Sequence, residues 1–460
     1  MTITEAALFD LIWSDLAGPP APPVAFVGET TPLPSVYAVS ALASATVAAA
    51  AAAVSALQGV RTGTGLRPVT VDRVHAAAAF RSERYTSAVG WTLPSVWDPI
   101  AGDYRTRDGW IRLHTNYRTH REAALRVLRS HPSRDAVASA VSPWAGEDLE
   151  TAIVDEGGCA AKMRSPEEWA AHPQGRAIRA EPLFATEVRA ASAASFGDGS
   201  PRPLAGIRVL DVTRVVAGPV CTRFLAAHGA NVLRIDPPGF EEVGALLPEM
   251  TVGKRRAFLD LHDRRDRECF ERLVATAHVM VHGLRSDAMD RLGLGTARRR
   301  EINPSLVDVS HDAYGFTGPW SRRRGFDSLV QMSCGIADRG RQATGGDRPF
   351  PLPAQALDHG TGYLLAAAAC RGLIRAIVDH QASEFRLSLS RTAALLTEFG
   401  TEGDLASPDL APHQVERWTE TAPTLFGSIR RICCPGRIEG TEASWTIPAG
   451  PLGIDAPSWE

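Results

Sequence analysis

The residues best suited to chemistry lie in the run Gln355-Ala356-Leu357-Asp358-His359-Gly360-Thr361-Gly362-Tyr363, which leads straight into LLAAAACRGLIRAI. A lone acid, then two glycines, then about four turns of small and apolar residues, places a carboxylate where an exposed turn enters a buried helix. The N-terminus of such a helix offers unpaired N–H groups and positive dipole, which keep a carboxylate ionised and supply donors to a group attacked beside it. That arrangement suits a nucleophile. Aspartate is equally a favoured helix cap with no chemistry, and the local pattern leaves both readings open. His282, His311 and His359 have the right type for proton transfer, but no partner is visible for any of them and a structural role is the simpler reading. The triplet Arg322-Arg323-Arg324 suits either a phosphate contact or a solvated loop.

The rest of the chain must position that carboxylate. From residue 204 to about 400 strand and helix patterns alternate: IRVLDVTRV (Ile207–Val215) reads as a strand, AGPVCTRFLAAHGA as a turn into a helix, NVLRIDPPG as a second strand. RRAFLDL, RECFERLVATA, HVMVHGL and INPSLVDVSH continue the rhythm. The pattern predicts an α/β fold with a doubly wound, mostly parallel, Rossmann-like sheet. After the first strand the chain offers Ala217-Gly218-Pro219 in place of GxGxxG, which speaks against a nicotinamide dehydrogenase. Residues 91–185 read as a smaller α+β domain, with a hairpin turn at Asp108-Gly109 and a capping signal at Ser165-Pro166-Glu167-Glu168. Residues 1–90 read as a helical N-terminal segment, 186–203 as part of a small, polar linker running from Ala185 to Pro203, and 401–460 as a connector and tail.

Composition narrows the function classes. With 460 residues, 44% hydrophobic and 22% charged, the chain has material for two or three ordinary cores. A net charge of −3 argues against a generally basic nucleic-acid surface. Seven scattered cysteines, with only Cys433-Cys434 close together, fit neither a metal spacing nor a disulfide framework; a cytoplasmic setting and no metal are expected. The N-terminal MTITEAALFDLIWSDLAG carries acids among its apolar residues, unlike a signal peptide, and the alanine-rich run from Ala41 to Leu57 reads as a buried helix, so no membrane partner is expected.

PLAGIRVLDVTRVVAGPVCTRFLAAHGANVLRIDPPG (Pro203–Gly239) resembles the opening of a class III CoA-transferase, the family of formyl-CoA:oxalate and carnitine CoA-transferases that also holds α-methylacyl-CoA racemase. GKRRAFLDL, GLRSDAMDRLGLG, INPSLVDVS, GFTGPWSRRRGFDSLVQMSCGIA and the Asp358 segment follow in family order, and CPGRIEG…AGPLGIDAP is similar to the family's tail. The resemblance implies that Asp358 is the catalytic nucleophile and that coenzyme A is a carrier substrate, with no permanently bound cofactor. Acyl-CoA and a carboxylic acid would be the substrates, and the chain would form a homodimer, possibly interlocked. Gly345, Gly346, Gly360 and Gly362 are then candidates for the loop that stabilises an oxyanion, although Gly345-Gly346 also reads as a surface turn. Arg214, Lys254, Arg255 and Arg285 stand where CoA phosphates are met, each equally readable as a surface charge.

Three departures bear on this. The racemases carry histidine in a GHD sequence that is Gly325-Phe326-Asp327 here, which favours transfer over an acyl-CoA racemase or isomerase. Pro237 and Gly283 replace a basic residue and an asparagine of the family, which keeps a catalytically inactive CoA-binding protein in play. Residues 36–185 look like a degenerate late part of a second copy, in a rearranged fusion where Ser40 pairs with Asp358 and Arg73 with Arg391.

Overall fold

The computed structural model describes residues 4–29, 33–192, 196, 202–285, 287–401 and 403–460. Its centre is a seven-stranded sheet ordered Lys254–Phe258, Asn231–Asp236, Arg208–Val212, Val279–His282, Val307–Asp312, Gln381–Ser388 and Ala185–Ala190. The first six run parallel. Val279–His282 is buried at every position and Arg208–Val212 at four of five, as expected for strands covered on both faces. The strand order reverses between these two strands, and in an open parallel sheet that reversal opens a crevice at their C-terminal ends.

The seventh strand corrects a boundary. Ala185–Ala190, expected to begin a linker, pairs antiparallel with Gln381–Arg386 and closes the sheet edge. Its alternating sequence leaves most side chains partly exposed, which suits an edge and disguises it as a polar connector. Residues 193–195 and 197–201 of the same stretch lie outside the described residues.

Two alanine-rich helices, Val39–Thr62 and Ala356–Val378, pack against each other at the centre of the core. Alanine is the strongest helix former and its short side chain lets two backbones approach closely. Both helices are long and apolar enough to span a membrane by length and composition, and both are mostly buried within this fold. Each leads into a strand and a further helix: Val69–Asp72 and Arg73–Ala79 in one case, Gln381–Ser388 and Leu389–Glu398 in the other.

The two halves thus repeat a pattern, but not in the expected register. Counted from the first helical residue, Ala41 and not Ser40 matches Asp358, and Arg73 opens its helix whereas Arg391 is third in its own. Ser40 is engaged elsewhere, accepting the Leu33 N–H at 2.6 Å.

The smaller domain builds a three-stranded sheet from Gly102–Arg105, Trp110–Leu113 and Ala160–Lys162. The helices Arg118–Leu128, Arg134–Val141 and Gly146–Asp155 lie on it around their own apolar cluster. Ser165 and Glu168 form the reciprocal capping pair that the sequence signals, at 3.0 and 2.7 Å.

Candidate active site

A cavity of about 490 Å³ opens at the sheet's crevice, within the range of small-molecule sites. The turns after Arg208–Val212 and Val279–His282 bring Arg214, Val215, Ala217, Gly283 and Arg285 to it. The start of the Ala356–Val378 helix adds Asp358, and the smaller domain closes it with Tyr117, Thr119 and His120. Both domains of the chain thus contribute to its lining.

Asp358 is the third residue of its helix and is 7% exposed. Among the described residues its carboxyl makes no hydrogen bond. The sequence leads one to expect an ionised carboxylate, but the surroundings act the other way. Burial, then the charges of Asp327 and Glu83, push the Asp358 carboxyl well above the usual range. Gly362, one turn along the same helix face, explains what stands beside it. A Cβ on Gly362 would lie 2.6 Å from the Ala217 carbonyl oxygen, so glycine lets the Ala217–Ala227 helix start next to Asp358. The Ala217 and Gly218 N–H groups fall in the first turn there, outside the helical ladder. Just before them the chain turns at Val215 with φ +64, a left-handed conformation that is strained for a β-branched residue.

That turn is clamped by a residue the sequence did not mark. Glu242 accepts from the Val215 N–H at 3.1 Å, from Arg234 at 3.0 Å and from the Tyr117 hydroxyl at 2.8 Å, joining the smaller domain to the cavity's rim. Burial opposes its charge, but Arg234 and the N–H donors outweigh it and hold Glu242 below the usual carboxylate range. No motif signals Glu242, Tyr117 or His120, whose contacts at the cavity cross from one domain to the other.

The predicted cations divide. Arg285 and Arg214 line the cavity. Arg285 is half-buried without a hydrogen bond among the described residues, its pKa lowered by burial and by Arg324 beside it. Arg214 lies 4.0 Å over the Phe240 ring and 3.7 Å from Asp236. Of the arginine triplet, Arg323 and Arg324 both line the cavity, and Arg323 is also tied to Glu150 at 2.8 Å and stacked 4.0 Å over Trp320. Lys254 is a correction: it is wholly buried, with Nζ 2.9 Å from Asp211, and meets no ligand space. Arg255 is another, since it binds Asn231 at 2.8 Å and the Trp459 carbonyl, away from the cavity.

The glycine candidates fail as oxyanion donors. Gly345 ends the Ile336–Thr344 helix in a left-handed cap and, with Gly346, sits on the surface away from the cavity. Gly360 and Gly362 are inside a regular helix, where their N–H groups belong to the helical ladder. Their small size serves packing against Leu42 and Ala217.

The histidines and Phe326 form a flat aromatic wall. Phe326 stacks on His114 with ring centroids 3.6 Å apart and planes within 1°, and His120 meets its edge at 5.9 Å. Burial holds His114 down to about 3 and His120 to about 4, so both are neutral near pH 7. His311 lines the cavity and is held to about 4 by burial and then by His282. A Cβ at Gly283 would lie 2.4 Å from His311 Nε2, so glycine at 283 makes room for this imidazole and an asparagine would not fit. His359 and His282 take structural partners: Glu83 at 2.9 Å and Asp308 at 3.3 Å.

Residues 204–424 match CoA-transferase family III. The chain is 33% identical over 178 residues to the acetyl-coenzyme A transferase nodX of Hypoxylon pulicicidum, covering 38% of this chain and 30% of that protein. It is 32% identical over 186 residues to the probable fatty acyl-CoA transferase Rv3272 of Mycobacterium tuberculosis (strain ATCC 25618 / H37Rv), covering 38% and 47%. A crystal structure of Rv3272 aligns with a TM-score of 0.39 at 30% identity, over 43% of this chain and 56% of that one. The chain spans between 30% and 54% of the length of four curated relatives that it matches.

Proposed function

We propose, from the match of residues 204–424 to CoA-transferase family III, that this protein moves coenzyme A between an acyl-CoA and a carboxylic acid through a covalent intermediate on Asp358. The observation that carries the reading is the Asp358 carboxyl itself, which opens without a hydrogen bond into a two-domain cavity beside the first turn of a second helix. Attack of the Asp358 carboxylate on the thioester carbonyl expels CoA thiolate and leaves a mixed anhydride. The thiolate then attacks the aspartyl carbonyl, releasing the first acid and forming an aspartyl-CoA thioester. The acceptor carboxylate repeats both steps in reverse order, which regenerates Asp358 and yields the new acyl-CoA. The N–H groups of Ala217 and Gly218 are the donors best placed for the oxyanions, and Arg285 with Arg214 for the carrier's phosphates. A cytoplasmic setting and a homodimer belong to the same reading, the seven free cysteines suiting a reducing compartment.

Phe326 favours transfer over racemisation as the second reading: a phenyl ring moves no proton, and its stacking on His114 gives it a structural use.

The test is to incubate the protein with acyl-CoA and hydroxylamine and to map adducts by peptide mass spectrometry. A hydroxamate at Asp358, absent without hydroxylamine and in Asp358→Ala, is the expected result. Its absence across donors of varied chain length refutes the covalent step.

Two further results follow from the site. Arg285→Ala should raise KM for acyl-CoA by about 10–100-fold with kcat changed little, the value of a lost charge-assisted hydrogen bond of about 1.5–3 kcal/mol. The acidic limb of kcat/KM should lie well above the ordinary aspartate range, because only ionised Asp358 attacks and its carboxyl is pushed upward by burial, Asp327 and Glu83. Activity is lost as pH falls through that raised value, and a limb near pH 4 would contradict the assignment.

A further inference from the structure

We infer that Asp327 is a positioning residue for Asp358, its buried carboxylate gripping the first turn of the Ala356–Val378 helix and setting where the reacting carboxyl stands. The residue in the capping position of that helix, Gln355, makes no side-chain cap bond. The cap comes instead from another element. Asp327 Oδ2 accepts the N–H of Leu357 at 2.9 Å and of Asp358 at 3.0 Å, and the side chain is fully buried. The cap is itself held. Gln331, one turn along the Asp327–Ser333 helix, donates to Asp327 Oδ1 and accepts the Leu352 N–H at 2.7 Å. The segment from Leu352 to Asp358 is thus pinned at both ends by a single helix. Phe326, directly before that helix, stacks on His114 of the smaller domain, so the domain that closes the cavity also bears on the group that aims Asp358.

The same geometry divides the charge. Three N–H donors converge on Asp327 and none reaches the Asp358 carboxyl among the described residues. In a shared apolar setting the donor-rich carboxyl gives up its proton first, and its charge then resists ionisation of the other. The groups facing the pair are Gln331 on its own helix, His359 on the Asp358 helix, and Glu83 of the Ser82–Tyr85 helix, bound to His359 at 2.9 Å. Burial raises Asp327 to about 6 against the pull of its donors, and Asp358 rises further.

The effect on turnover rests on the transferase reading; the grip and the shared titration do not. Asp327→Asn keeps a carbonyl oxygen for the cap and removes the charge, whereas Asp327→Ala removes both. Carboxyl carbons of 13C-aspartate protein are followed by NMR against pH, with the Asp358 signal identified by its loss in Asp358→Asn. Its midpoint should fall by about one unit or more in Asp327→Asn. The Asp327 midpoint should hardly move in Asp358→Asn, because Asp327 ionises first, beside a still neutral Asp358. In the enzyme assay Asp327→Ala should lower kcat by about 10²-fold with KM for acyl-CoA within about twofold, as expected of a displaced reacting group. An Asp358 midpoint that does not move in Asp327→Asn overturns the inference, as does wild-type kcat in Asp327→Ala. A shifted Asp358 midpoint in a protein with no transfer activity would sink the proposed function and leave this pairing standing.

Discussion

Replacing Asp358 by alanine is expected to lower turnover by about 10⁴-fold or more, the scale seen when a covalent nucleophile is deleted, while acyl-CoA binding persists. No neighbour can stand in. Asp312 is the other carboxyl lining the cavity, but it accepts the Gly315 N–H at 2.6 Å and burial pushes it well above the usual range. Asp327 is turned to the helix backbone. In the repeated N-terminal pattern, Ala41 occupies the corresponding helical place, so that helix offers no carboxylate at this position. Steady-state kinetics paired with a binding isotherm for acyl-CoA separates lost chemistry from lost affinity. Turnover within tenfold of wild type would remove Asp358 from the mechanism.

Stability should respond in the opposite sense to activity. A carboxyl whose folded pKa is raised binds its proton more tightly in the folded state, so its ionisation costs stability as pH climbs above the ordinary aspartate value. Asp358→Asn should therefore be at least as stable as wild type at neutral pH, with the difference vanishing in acid. A carboxylate kept at a cost to the fold is the pattern of a functional site.

Much of this architecture is legible in the sequence because parallel strands buried on both faces must be apolar, and VLDV, NVLRID and VMVH announce themselves. Asp358 stands out only through the family resemblance, since a single acid heading a helix also reads as a plain cap. What the sequence hides is direction and partnership. Lys254 and Arg255 are adjacent, and nothing local says that one enters the core to meet Asp211 while the other binds the chain's own C-terminal region at Trp459. Gly345-Gly346 carries the composition of a ligand loop, yet only the fold places it at a distant helix end. The strand at Ala185–Ala190 is hidden because its pairing partner lies nearly two hundred residues away, and an edge strand has no buried face to betray it. The grip of Asp327 on Asp358 is likewise a contact between two helices that no spacing rule connects.

Lys254→Ala is expected to destabilise the fold by about 3–5 kcal/mol, since removing one partner of a buried ion pair strands the other charge. Lys254 Nζ stands 2.9 Å from Asp211 Oδ2 and 3.3 Å from the Pro219 carbonyl oxygen, with neither side chain exposed. Burial brings the lysine down to about 8, still charged near pH 7, and Lys254 with Arg234 holds Asp211 below the usual range against its own burial. Without the lysine, Asp211 keeps neutral donors from Thr213 and Thr222 at 2.5 and 2.6 Å, too little for a carboxylate in the core. Urea denaturation near pH 7.5 and pH 5 checks this. The gap between variant and wild type should narrow at the lower pH, because in the variant Asp211 escapes by taking up a proton. A loss below about 1 kcal/mol would show the pair to be dispensable. Asp211 also accepts the Thr213 N–H at 3.0 Å, and Thr213 leads into the left-handed turn at Val215 on the cavity's rim. A variant that survives by protonating Asp211 should therefore fold yet transfer CoA poorly, because the turn that brings the Ala217 helix beside Asp358 has lost its charged anchor.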